Sequence, residues 1–86
     1  MKKTFLDEGW DEYLYWQGQD KKTLRRINQL LMDIDRNGHE GMGDPERLKG
    51  VDGWWSRRIN EKDRLVYKIE RGEILVAQCR GHYGDH

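Results

Sequence analysis

Hydrophobic and polar positions alternate with two periods along this chain, and the change of period divides it into two halves. The opening "KKTFL" has the make-up of a short strand. Asp7 stands where a helix N-cap is expected, with acidic residues filling the first turn behind it. Trp10, Tyr13, Leu14 and Gln17 then trace one helical face, and Gly18 closes that segment. Asp20 is a second N-cap, followed by Leu24, Ile27, Leu31 and Ile34 at helical spacing. Two helices so close in sequence predict an antiparallel hairpin. Asn37-Gly38 ends the second.

Residues 37–53 hold five of the ten glycines and the single proline, and read as one long loop. Loops of that length inside a small domain are usually functional or disordered. Pro45 predicts an extended Asp44 before it. From Trp54 onward the period is two, giving strands over Trp54–Asn60, Asp63–Glu70 and Glu73–Arg80. "ERGE" is a tight hairpin turn in which Gly72 takes positive φ. Alternation sends Leu65, Tyr67 and Ile69 toward the helices, and Arg64, Val66 and Lys68 to the opposite face. In the last strand it groups Leu75, Ala77 and Cys79 on one face, and Gln78, Arg80 and His82 on the other. The expectation is one α+β domain over residues 1–86, in which a helical hairpin covers one face of a twisted antiparallel sheet. The other face is left open, and Arg58, Arg64, Gln78 and His82 cluster on it.

Composition changes this picture little. Sixteen basic side chains balance sixteen acidic ones, so net charge does not point to nucleic acid. Between Arg47 and Arg64, however, six bases stand against three acids. A lone Cys79 rules out an internal disulfide and fits a reducing compartment. No apolar run approaches a membrane span, and the N-terminus lacks a signal-peptide core, so the chain reads as a soluble cytoplasmic protein with no membrane partner. Cys79, His82 and His86 spell C-x2-H-x3-H, half of a zinc site. With no second cysteine pair, no metal or other cofactor is expected.

The open face and the loop segment "PERLK" together supply a carboxylate (Glu46), an imidazole (His82) and several fixed cations (Arg47, Lys49, Arg58, Arg64). Metal-free RNA cleavage needs these parts. A base takes the proton from a ribose 2′-OH, an acid protonates the leaving 5′-oxygen, and cations stabilise charge growing on the phosphorane. Trp54 and Tyr83 are aromatic side chains able to stack on a base. Each residue also has an ordinary surface or packing role open to it, and strand alternation separates Arg57 from the others.

The segments "WDEYLYWQGQDKKTLRRINQLL", "PERLK", "WWSRRINEKDRLVYKI" and "CRGHY" resemble the YoeB/Txe toxins of type II toxin–antitoxin systems, within the RelE-like superfamily. The likeness runs from the first strand to Tyr83. It implies a microbial-RNase-like fold of order β-α-α-β-β-β and a ribosome-dependent endoribonuclease that cuts messenger RNA in the ribosomal A site. It also implies a YefM-like antitoxin partner, a homodimer in some relatives, and contact with operator DNA only through the antitoxin complex. By position, Glu46 corresponds to the general base, His82 to the general acid, and Arg64 to the arginine that steadies the transition state. Lys49 and Arg58 correspond to helpers near the phosphate, with Arg47 beside them, and Tyr83 to the aromatic next to the catalytic His. Met42 and Asp44 stand where lysines are common in the family. Gly81 replaces a bulkier residue, which predicts a looser catalytic tail. The competing expectation is a toxin homologue without nuclease activity that binds antitoxin and, through it, operator DNA. A third is a structural interaction domain.

Overall fold

A computed structural model describes residues 1–82 of the chain; Tyr83 and His86 lie outside the described residues. The elements run β1 (Lys2–Phe5), α1 (Asp7–Gln19), α2 (Lys21–Asn37), β2 (Glu46–Arg47), β3 (Trp54–Arg58), β4 (Arg64–Glu70) and β5 (Glu73–Gln78). They form a five-stranded sheet of order β1-β5-β4-β3-β2. Three pairings are antiparallel as expected, but β1 lies parallel to β5, which makes the sheet mixed. The helical hairpin is the connection that carries the chain from the β1 edge across the sheet.

Helix α2 forms where its stripe predicted. The Asp20 carboxylate accepts from the Lys22 and Thr23 backbone N–H groups, satisfying donors that the first turn leaves unpaired. Ile27, Leu30, Leu31 and Ile34 are buried on its inner face. Helix α1 departs from expectation at two points. Its N-cap is Leu6, without a side-chain cap, and Asp7 is the first helical residue. Its buried residues are Gly9, Glu12 and Trp16, whereas Trp10, Leu14 and Gln17 are exposed and Tyr13 is half-buried. The reason is close packing on β5. A Cβ on Gly9 would stand 2.6 Å from the Val76 carbonyl oxygen, so the helix must turn its smallest residue to the strand. Trp10 instead stacks on Tyr13 and meets Phe5 edge-on at the rim.

The sheet's inner face also differs from strict alternation. Leu65 and Tyr67 are in the core as predicted, but the β5 residues that join them there are Ile74 and Val76 rather than Leu75 and Ala77. Tyr67 opposes Val76 while Val66 opposes Gln78, so Ala77 is an extra residue. That irregularity shifts the phase of every later position, which is how Cys79 still reaches the core. Arg80 leaves the open face and lies over the Tyr15 ring of α1, 3.7 Å from its centroid. The turn between β4 and β5 has positive φ at both Arg71 and Gly72, as a two-residue hairpin loop requires.

The long loop is not structureless. It contributes β2, whose Glu46 and Arg47 pair with Ser56 and Trp55. Its base is held by Arg57, which is fully buried. All five N–H groups of Arg57 donate: Nε to the Tyr67 hydroxyl, Nη1 to Asp33 and the Met42 carbonyl, and Nη2 to the Gly38 and Glu40 carbonyls. A planar fork of fixed donors suits this clustering of backbone carbonyls better than any other side chain does. Asp44 takes φ 52° rather than an extended conformation, because the turn must bring the Gly43 carbonyl onto the Arg58 N–H, 2.6 Å away.

Candidate active site

Strand alternation on β3 sends Trp55 and Arg57 inward and leaves Trp54, Ser56 and Arg58 on the open face. The pairing register then sets two rows across that face. Glu46, Ser56, Val66 and Gln78 are successive partners across four strands, and Arg58 faces Arg64 one step further along. A cleft of about 340 Å³ opens there, lined by Asp44, Glu46, Leu48, Ser56, Arg58, Arg64 and His82. Residues from four separate stretches of chain thus meet because the sheet places them side by side.

The two arginines are held differently. Arg58 is largely exposed, and its Nε lies 3.5 Å from an Asp44 carboxylate oxygen. Arg64 is half-buried, and its Nη1 donates to the carbonyls of Asn60, Glu61 and Asp63 at 2.8, 3.2 and 3.2 Å. Those carbonyls fix its orientation without neutralising it. Two guanidinium groups on directly paired strand positions repel.

The chain segment leading to His82 is fastened at every residue. Cys79 N–H donates to Glu12 at 2.7 Å, and its carbonyl accepts from the Trp16 indole at 2.8 Å. Gly81 N–H donates to Asp63 Oδ1 at 2.7 Å, and the Gly81 carbonyl accepts from Arg64 N–H at 2.9 Å. The Asp63 carboxylate is itself held by the Asn60 side chain. Gly81 adopts φ 77°, a conformation that L side chains rarely take. The glycine therefore turns the chain so that His82 reaches the cleft, and is itself tied down, contrary to the expected loosening. His82 is exposed at the cleft wall.

Of the residues singled out from sequence, Glu46, Arg58, Arg64 and His82 share the cleft. Arg47 and Lys49 are exposed and are not among its lining residues; Arg47 pairs opposite Trp55, on the other side of β2 from Glu46. Tyr83 lies outside the described residues. Gln78 belongs to the neighbouring part of the same face, with its Nε2 donating to Glu8. Ser56 and Asp63 were not singled out for the site; only pairing partners and the return of the tail reveal them. Of the C-x2-H-x3-H pattern, Cys79 is buried in the core, His82 is exposed at the cleft and His86 lies outside the described residues. Burial, reinforced by the Glu12 and Asp63 carboxylates, pushes the Cys79 thiol up to about 12, and Sγ donates to the Gly9 carbonyl. No cluster of metal-ligating side chains occurs among the described residues.

Residues 5–83 match the YoeB-like toxin of bacterial type II toxin–antitoxin systems. The chain is 49% identical over 84 residues to toxin YoeB of Escherichia coli strain K12, covering 96% of this chain and all of the relative. Its fold superposes on the Staphylococcus aureus YoeB dimer structure with a TM-score of 0.92 at 46% identity, covering 96% and 98% of the two chains. It also matches the toxin of a heterotetrameric YoeB–YefM complex from Staphylococcus aureus, with a TM-score of 0.90, 46% identity and the same coverage.

Proposed function

The chain belongs to the YoeB-like toxins of bacterial type II toxin–antitoxin systems, and from that premise we propose that it is a ribosome-dependent endoribonuclease that cuts messenger RNA in the ribosomal A site. The observation that carries this reading is the convergence of Glu46, Arg58, Arg64 and His82 on one cleft of the open sheet face. Glu46 takes the proton from the ribose 2′-OH, and the resulting oxygen attacks the adjacent phosphorus. Arg64 and Arg58 hold the charge that builds on the equatorial oxygens. Arg64 is already oriented by three carbonyls, so little reorganisation accompanies the reaction. The P–O5′ bond breaks, and His82 gives its proton to the departing oxygen. The products are a 2′,3′-cyclic phosphate and a 5′-OH end. No cofactor enters this scheme. Arg47 and Lys49, exposed and outside the cleft lining, bind the RNA or ribosome rather than the reacting phosphate, and Tyr83 is given an RNA-binding role by its place in the family motif alone.

Relatives of this chain have been solved as a dimer and in complex with YefM. On that basis the protein pairs with a YefM-like antitoxin, reaches operator DNA only within that complex, and forms homodimers. It works in the cytoplasm, where messenger RNA is translated. No helix among the described residues is long and apolar enough to cross a membrane.

A second reading draws on one observation. Asp44 occupies the cleft with its carboxylate on Arg58, where relatives commonly have lysine, and so competes with a phosphate. A toxin weakened in this way would act mainly as an antitoxin-binding, operator-corepressing protein. Mapping of cuts by primer extension separates the two. Cuts that require both ribosomes and His82, lost in His82→Gln, establish the nuclease. A folded wild type that cuts nothing yet binds antitoxin establishes the second reading. A 5′-phosphate product would refute the mechanism, because it requires water as the nucleophile.

A further inference from the structure

The turn between β3 and β4 closes without help from the Asp63 side chain. Asn60 Oδ1 accepts from the Lys62 and Asp63 N–H groups at 2.8 and 2.7 Å. The Asp63 carbonyl accepts from Ile59 N–H at 2.9 Å. Those bonds complete the turn, as an Asx side chain ordinarily does. Yet the Asp63 carboxylate is buried, at 6% exposure, and a buried charge is costly unless hydrogen bonds satisfy it. Its Oδ1 accepts from Gly81 N–H, far along the chain, at 2.7 Å. Its Oδ2 accepts from Asn60 Nδ2 at 3.1 Å. The carboxylate thus serves a distant segment, and Asn60 aims it there.

Gly81 is where that aim matters. Up to Arg80 the tail is tied to α1, through Glu12, Trp16 and Tyr15. Past Arg80 the chain is held at Gly81 from both sides. Its N–H meets the Asp63 carboxylate, and its carbonyl accepts from Arg64 N–H at 2.9 Å. A bond to a charged acceptor is roughly twice as strong as a neutral one, so Asp63 is the firmer anchor. The Arg64 guanidinium is fixed by the carbonyls of Asn60, Glu61 and Asp63. The guanidinium and the peptide that bears His82 are therefore both anchored on residues 60–64.

We propose that Asn60 and Asp63 are positioning residues for the general-acid step, holding the His82 imidazole in register with Arg64 so that proton donor and cation meet the same phosphate. The proposal rests on the nuclease reading. Neither residue touches the reacting atoms in this role; both act through Gly81. The chemistry of the pair allows it to be exchanged. Asn60→Asp combined with Asp63→Asn keeps every bond. The carboxylate at position 60 accepts from both turn N–H groups and from the amide at position 63, whose oxygen accepts from Gly81. Asp63→Asn alone sets one amide NH2 against another and loses a bond whichever way the amide lies.

The test uses purified ribosomes and a message with either the ordinary 5′-oxygen or a bridging sulfur at the mapped cut. Sulfur departs as a thiolate, so the P–S bond breaks without a proton from an acid. On the oxygen message at saturating ribosomes, Asp63→Asn is expected to cut about tenfold slower than wild type, with the half-saturating concentration unchanged. Asn60→Ala, at an exposed side chain, should cut about threefold slower. The exchanged pair should stay within about twofold of wild type. On the sulfur message all three, and His82→Gln, should match wild type within about twofold, whereas a variant that is merely less folded stays slow on both. If Asp63→Asn does not fold, Asn60→Ala and the exchanged pair carry the same comparison. Equal slowing on oxygen and sulfur, an exchanged pair as slow as Asp63→Asn, or single variants as fast as wild type overturn the positioning role and leave the nuclease standing. His82→Gln that stays slow on sulfur overturns His82 as the acid and this proposal with it. A wild type that cuts neither message overturns the nuclease reading itself.

Discussion

Replacing Asp33 by Asn should destabilise this protein by about 3 kcal/mol, because it removes the carboxylate paired with a fully buried arginine. Arg57 is 0% exposed and Asp33 is 17% exposed at the side chain. Breaking a buried pair from one side typically costs ~3–5 kcal/mol, and the solvent reaching Asp33 places this case at the lower end. The new amide cannot compensate, since the carboxylate also accepts from Met42 N–H and the Asn37 side chain. For a domain of this size the whole stability is about 5–10 kcal/mol, so the variant sits close to its folding threshold. In urea titrations followed by tryptophan fluorescence, an m-value of about 1 kcal/mol/M converts the loss into a midpoint lowered by about 3 M. The double-mutant cycle with Arg57→Met should give a coupling above about 1.5 kcal/mol. The pH dependence is a second readout. The Arg57 hydrogen bond, aided by Met42 N–H and Asn37, holds the Asp33 carboxyl below its ordinary 3.8. A depressed folded pKa contributes stability that is fully present above 3.8 and is lost as pH falls through the lowered value. Wild type should therefore weaken as pH drops below about 4, and Asp33→Asn should lack that component. A midpoint shift under about 1 M, or a coupling near zero, would refute the assignment of Arg57 and Asp33 as the clamp of the loop that carries Glu46.

Three more consequences can be measured separately. Asp44→Asn frees Arg58 for phosphate, so cleavage on ribosomes should rise several-fold with a steeper fall as salt increases; an unchanged rate and salt slope would mean the pair does not compete with RNA. Asp63→Ala releases the Gly81 N–H, and the number of cuts per ribosome at saturation should fall at least tenfold while the half-saturating ribosome concentration stays constant; parallel changes in both would argue for lost binding instead. Cys79, its thiol pushed up to about 12 and 0% exposed, should resist alkylation at pH 8 in the native protein and react at once in denaturant; free-thiol rates in the native state would contradict its burial.

What the sequence determined by itself was whatever depends on neighbours a few residues apart. Asp20 caps α2, Ile27, Leu31 and Ile34 share its inner face, and Arg71-Gly72 turns the hairpin, because each involves hydrogen bonds or spacings within about one turn or one loop. Motif pieces that a single chain carries in order also singled out Glu46, Arg58, Arg64 and His82, which the structure brings to one cleft. The tertiary structure alone decided the rest. It ran β1 parallel to β5, inserted Ala77 and so reversed which β5 residues face the helices, and turned Gly9 rather than Trp10 to the sheet. It paired Glu46 with Ser56, and fastened Gly81 to Asp63 and Arg64 so that His82 returns to the cleft. Local periodicity records the face a residue prefers. It does not record which distant strand supplies the partner, nor where one extra residue shifts the phase. Both follow from long-range packing and from the requirement that every buried N–H and carbonyl find a mate.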